Sequence, residues 1–490
     1  MRSTLRAFLI RFALVAALLV TWSCGIGRYG GPDEPAHVLR AYAAAHGDVL
    51  GDPADPLPPG FRFVSVPAAL ASGDPACYRH DPLLTSRCAA ANPAPGTSAG
   101  NDMVRVGTSA GLTPPLYHLF VGAVVRLVGD PADSAWYRLV AALLHAAVVA
   151  LALTRMRHRP AGMALVVAAI TPATWFLFGV MNPNSLEIAL ALLGWVGVMR
   201  AIEAASLSRR DAWWIGGPAA IAIAIRPIAV VALLAMVLVV ELRCRPGPRR
   251  WLIAAAPAIA VLAGTVWNTA VGMQVDDPRT AVDQSLWHNV TDVVTSLPTT
   301  AVEAVGSLGW LEYRTPVVAS LSWLGIVVVL VLVFVPTDRP WRLGRAVWSA
   351  CAWAAILVMT PVVFEVALAG QVGPIWQGRY SLPILVGVTA VLTSSRSRRS
   401  RSAVDGAAAG GTCPPAALVA AMIGTALVEV VTYWATVRRY AVGTHGSWWL
   451  RHAGDSTTLM GPRAWLLTHL MVVGAIVGPG VRRSSRTRRR

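Results

Sequence analysis

Apolar blocks of roughly 15–25 residues recur along almost the whole 490-residue chain. Each is long enough, as a helix, to cross a ~30 Å hydrocarbon layer. Lipid offers the backbone no hydrogen bonds, so segments of this kind must satisfy their own N–H and C=O groups as helices. Only 14% of the residues are charged and the mean hydropathy is +0.55, where a soluble domain carries about 25% charge. A soluble enzyme, a fibre and a disordered chain are excluded. The pattern predicts an all-α, polytopic integral membrane protein whose first partner is the lipid bilayer.

The formal net charge of +17 points at first to nucleic acid, but the distribution of the charge argues against it. All 42 basic residues are Arg, and they gather between apolar blocks at 155–159, 200–210, 243–250, 339–345, 396–401 and 482–490. Cytoplasmic loops of membrane proteins carry this excess. Nucleic acid is therefore not expected as a partner. Placing every Arg run inside gives about twelve transmembrane helices with both termini cytoplasmic, and puts the acidic loops outside.

The chain then divides as follows: a first, uncleaved transmembrane helix at 1–24; an extracytoplasmic loop with juxtamembrane helices at 25–135; a transmembrane core at 136–393; a flexible cytoplasmic loop at 394–415; C-terminal transmembrane helices with an outer loop at 416–479; and a basic cytoplasmic tail at 480–490. The apolar run 114–128 is too short to span and should lie along the outer surface. Arg126 and Arg138 flank it and are expected to meet lipid headgroups. The stretch 212–241 has basic residues at both ends, so it should fold back near Arg226-Pro227, where Pro breaks a helix. Cys77 and Cys88 share the long outer loop, an oxidising compartment on this topology, and are expected to form a disulfide. The six cysteines show no metal-ligand spacing.

The segment Gly31-Pro32-Asp33-Glu34-Pro35-Ala36-His37 follows the first helix at the membrane–water boundary. If a helix begins at Pro35, both carboxylates sit at its amino-terminal end, where the dipole favours their charged forms. His37 would face back towards them. The plain alternative is a cap, because Pro-Asp-Glu-Pro is ordinary helix-start chemistry.

An Asp-Glu pair after the first helix, then a long outer loop and Thr113-Pro114-Pro115-Leu116-Tyr117, resembles the GT-C superfamily of multi-spanning glycosyltransferases. A closer resemblance is to a bacterial family catalogued as a domain of unknown function, number 2142. It rests on Pro32-Asp33-Glu34-Pro35-Ala36-His37 with Arg40-Ala41-Tyr42, then Asn182-Pro183-Asn184-Ser185, Arg226-Pro227, Leu308-Gly309-Trp310-Leu311-Glu312 and Gln377-Gly378-Arg379-Tyr380. Asn184 and Glu312 stand where that family often has Asp. The resemblance implies a GT-C-like fold with a large first extracytoplasmic loop, sited in the plasma membrane with its active site outside. It implies an inverting transfer of sugar from a polyprenyl-phosphate donor to an envelope glycan, glycolipid or protein. In such enzymes the Asp, here Asp33, is the catalytic base; Glu34 and His37 would orient it or the acceptor.

Such a reaction needs a carboxylate within about 3 Å of the acceptor hydroxyl, and positive charge where the lipid phosphate leaves. Arg226 and Arg379 are the candidates for the phosphate, and Tyr117, Asn182, Gln377 and Tyr380 for the substrate groove. No cofactor is fixed by the sequence; a divalent metal at the phosphate stays open, and no metal ligands are assigned. The rival classes are a transporter or flippase of a lipid-linked saccharide, and a non-catalytic envelope-assembly protein. A transporter usually places its polar groups at the bilayer midplane and shows two related halves, whereas this chain gathers its charge in an outer loop.

Overall fold

The computed structural model describes residues 2–53, 61–73, 75–91, 102–245, 247, 249–271, 285–334, 340–372, 376–388, 415–451 and 460–487. The amino-terminal half runs α1 (Arg2–Gly25), α2 (Glu34–Ala45), β1 (Asp52–Pro53), β2 (Arg62–Pro67), α3 (Ala68–Ala71), α4 (Arg87–Ala91), β3 (Met103–Thr108), α5 (Leu116–Leu127), α6 (Ser134–Arg155), α7 (Pro160–Ala168), α8 (Pro172–Phe178) and α9 (Pro183–Ala204). After these come α10 (Arg209–Ile225), α11 (Val230–Arg243), α12 (Trp251–Ala270), α13 (Leu286–Gly306), β4 (Ser307–Leu308), β5 (Tyr313–Arg314), α14 (Val317–Phe334), α15 (Pro340–Val372) and α16 (Gly378–Leu385). Two further helices, α17 (Pro415–Val442) and α18 (Pro462–Thr487), complete the described chain.

Among the described residues, six helices are long and apolar enough to cross a membrane: α1, α6, α9, α12, and the stretches Leu343–Ala367 and Leu418–Val442. Three shorter apolar helices accompany them. The described helices do not confirm the expected count of about twelve, and two of the expected blocks are broken locally. The apolar block 162–179 is cut by Thr171-Pro172 into α7 and α8, with the Thr171 hydroxyl capping α8 through the Thr174 amide. The block 212–241 does break at Arg226-Pro227, into helices of 17 and 14 residues. The loop expected at 394–415 lies almost entirely outside the described residues.

Helix α9 is the centre of the bundle. Nineteen of its 22 residues are buried, and it packs on α6, α10, α11 and α16. Helices α12 and α14 instead show one row of large apolar side chains outward, including Ile259, Leu262, Val318, Leu321 and Leu324. A helix wall of this kind is stable only against lipid or another apolar surface.

The described residues of the stretch expected as the first outer loop form a small structured cap. Helix α2 lies on α5, and an antiparallel sheet in the order β1-β2-β3 lies beside α2. Its longer pairing runs from Arg62↔Thr108 to Pro67↔Met103. The Cys77–Cys88 disulfide is formed, with Cα atoms 6.2 Å apart. Buried Arg439 of α17 donates to the carbonyls of Leu84, Tyr78 and Asp81 at 2.6, 2.8 and 3.1 Å, and to Glu312 at 3.0 Å. This ties the disulfide loop to the bundle.

Candidate active site around Asp33

Asp33 takes the N-cap position of α2 but does not act as a cap. Its backbone is left-handed, with φ 57° and ψ 9°, and its side chain makes no capping hydrogen bond. Asp tolerates that conformation better than most residues, yet it costs energy, and such residues concentrate where a side chain must be aimed. Here the side chain is aimed at Arg379: the carboxylate Oδ2 accepts from Nη2 at 2.6 Å. With 41% of its side chain exposed, Asp33 stays open to another molecule.

The neighbouring carboxylate has the opposite fate. Glu34 is 1% exposed and accepts from Arg138 through both oxygens, at 2.8 and 2.5 Å. The amides of Met181 and Gly31 add bonds at 3.0 and 3.2 Å. Arg138 also donates to the carbonyls of Ser23 and Gly27. It is therefore a buried clasp between α1, α2 and α6, which corrects the expectation that it meets headgroups. Arg126 is bound to the Ala45 carbonyl at 2.6 Å.

Two arginines from distant parts of the chain close the site. Arg226, in extended backbone just after α10, donates to the Glu187 carboxylate at 2.8 Å. Glu187 also accepts from the Asn184 side-chain Nδ2 at 3.0 Å. The Tyr380 ring lies 4.9 Å from the Arg226 guanidinium and 5.1 Å from that of Arg379. Arg379 donates to the Tyr380 hydroxyl at 3.2 Å, while its buried Nε and Nη1 have no acceptor among the described residues. Burial alone would raise the Asp33 carboxyl, but Arg379, His37 and Arg226 outweigh it and hold the group below the usual carboxylate range.

His37 does not bond to either carboxylate. Its Nδ1 is 3.1 Å from Nε2 of His118 on α5, and the rings stack with centroids 5.3 Å apart. Burial pushes His37 down to about 4 against the pull of Asp33, so it is neutral at pH 7. One ring must then donate and the other accept.

Of the groove candidates, Tyr380 sits between the two arginines, and Asn182 holds the frame. Asn182 accepts from the Asn184 amide, capping α9, and donates to the Pro32 carbonyl at 2.9 Å. It thus fixes the start of α9 to the Asp33 turn. Gln377 precedes α16, and its buried Oε1 has no partner among the described residues. Tyr117 is 1% exposed and stacks on His145. Among the described residues no group of three or more His, Cys, Asp or Glu could hold a metal ion.

Glu187, Arg138 and His118 were not singled out for the site by the sequence reading. Glu187 left a signal: a carboxylate inside an otherwise apolar block is a functional hypothesis by default. Arg138 and His118 left none, because their partners lie 104 and 81 residues away.

Residues 16–388 match the family described as "Predicted membrane protein (DUF2142)". The chain belongs to that family. The matched region contains every group of the site from Asp33 to Tyr380. No curated protein matches. Among solved structures, the chain is similar to the arabinofuranosyltransferase AftD from mycobacteria, at 13% identity and a TM-score of 0.45. The likeness covers 90% of this chain and 27% of the AftD chain, so this DUF2142 protein corresponds to about a quarter of AftD's length.

Proposed function

We propose that this DUF2142 protein is a GT-C-type inverting glycosyltransferase of the plasma membrane. It moves a sugar from a polyprenyl-phosphate donor to an envelope glycan, glycolipid or protein on the extracytoplasmic side. The observation that carries this reading is Asp33, held in a left-handed turn, half-open, ionised, and 2.6 Å from Arg379.

In the reaction the acceptor oxygen bonds to the sugar's anomeric carbon as the bond from that carbon to the phosphate oxygen breaks. The hydroxyl proton passes to Asp33, and the lipid phosphate departs with the bonding pair. Arg379 and Arg226 meet the charge that develops on that phosphate. A carboxylate held ionised by two arginines is a weak base, but the unused Nε and Nη1 of Arg379 would turn to a bound phosphate. That weakens the hold on Asp33, so its basicity rises once the donor is in place. Glu34, which lies outside this chemistry, anchors the turn through Arg138.

The test is transfer by Asp33→Asn from a radiolabelled polyprenyl-phosphate sugar in membranes. The reading expects correctly inserted protein, retained donor binding and at least about 100-fold slower transfer. A flippase would instead lose movement of intact lipid-linked saccharide, with the sugar bond unbroken.

A further inference from the structure

Two of the largest side chains fully enclosed by the protein are arginines, Arg40 and Arg439, and the fold treats them in opposite ways. Arg439 has an ion pair with Glu312 and three carbonyl acceptors. Arg40, on α2, is 0% exposed, and its Nε, Nη1 and Nη2 all lack an acceptor among the described residues. Burial pushes Arg40 down only to about 10, with Asp48 opposing and Arg62 reinforcing, so it remains a cation at neutral pH. A buried charge without a counter-ion is strongly unfavourable.

The charged neighbours do not relieve it. The Asp48 carboxylate is bound to the Gly51 amide at 2.8 Å, and Arg62 donates to the Val271 carbonyl at 2.9 Å. Arg40 lies one turn after His37 on the same face of α2, and its positive charge adds to the burial that lowers His118.

We propose that Arg40 receives a second oxyanion, a phosphate or carboxylate group carried by a substrate, at a place separate from Arg226 and Arg379. The planar guanidinium offers five donors in a fork suited to such a group. The origin of that group rests on the transferase reading; the existence of the site does not.

The test uses the full chain in lipid nanodiscs, with inorganic phosphate titrated against chloride at constant ionic strength and thermal unfolding as the readout. Wild type and Arg379→Gln should both gain at least about 2 °C at saturation, since a ligand that binds the folded state stabilises it. Arg40→Gln should gain clearly less than wild type, and Arg40→Gln combined with Arg379→Gln should show no gain. An equal gain in Arg40→Gln, or none in Arg379→Gln, overturns the proposal. If Arg40→Gln does not fold, Arg40→Lys decides: losing the fork should raise the phosphate midpoint about tenfold, and an unchanged midpoint contradicts the site. Repeating the titration in nanodiscs holding a polyprenyl phosphate separates two sources. A phosphate gain that persists there assigns the site to an acceptor's oxyanion; a gain already supplied by the lipid assigns it to the donor.

Discussion

Arg379 and Asp33, 346 residues apart in the chain, share a 2.6 Å hydrogen bond that brings the start of α16 against the turn after α1. Because only Nη2 of Arg379 is engaged by Asp33 and Tyr380, the residue can meet a phosphate while still touching the carboxylate. Arg379→Lys keeps the charge and loses the fork. It should raise the donor KM about tenfold or more, with membrane insertion unchanged. Arg226→Ala should act in the same direction and, in addition, leave Glu187 buried without its cation. An unaltered donor KM in both variants would remove the phosphate role.

Glu34 and Arg138 form a buried pair, and removing one partner strands the other. Glu34→Gln is expected to cost about 3–5 kcal/mol, read as a lower unfolding temperature and reduced yield. Combining it with Arg138→Met should recover much of that loss. A Glu34→Gln protein of wild-type stability but without transfer activity would return Glu34 to the chemistry.

How far the sequence led is clear from these two pairs. The apolar blocks and Arg runs made a multi-spanning helical protein legible, and the Gly31–His37 segment marked the site. The structure brings Asp33, Arg379, Tyr380 and Arg226 together. The resemblance set Asp33 apart from Glu34 as the base, but the burial of Glu34 against Arg138 on another helix was hidden. The break at Thr171-Pro172, where one apolar block becomes two short helices, was not read from the sequence.

His37 has a pH consequence. Its folded-state value lies near 4 against about 6.5 in an unfolded chain, so the unfolded state binds more protons between these limits. Stability therefore falls as pH drops from about 6.5 to about 4, by an amount on the order of 2–3 kcal/mol. His37→Gln should flatten this part of the curve in urea titrations followed by tryptophan fluorescence. A slope unchanged by the substitution contradicts a neutral His37.

The Cys77–Cys88 disulfide closes a loop with a sequence separation of 11. On the chain-entropy account its loss should cost about 3 kcal/mol. Cys77→Ser with Cys88→Ser is expected to make the outer cap more sensitive to protease while the bundle stays intact. Recovery of two free thiols from alkylated, non-reduced wild type would show the bond absent in the cell.

The proposed mechanism depends most on one side chain, and Asp33→Asn isolates it. The substitution keeps the size of Asp33 and much of its hydrogen bonding but removes the proton acceptor. Single-turnover transfer from a radiolabelled polyprenyl-phosphate sugar should slow by at least about 100-fold, with donor binding retained. Transfer at the wild-type rate, in correctly inserted protein, would contradict the assignment of Asp33 as the base.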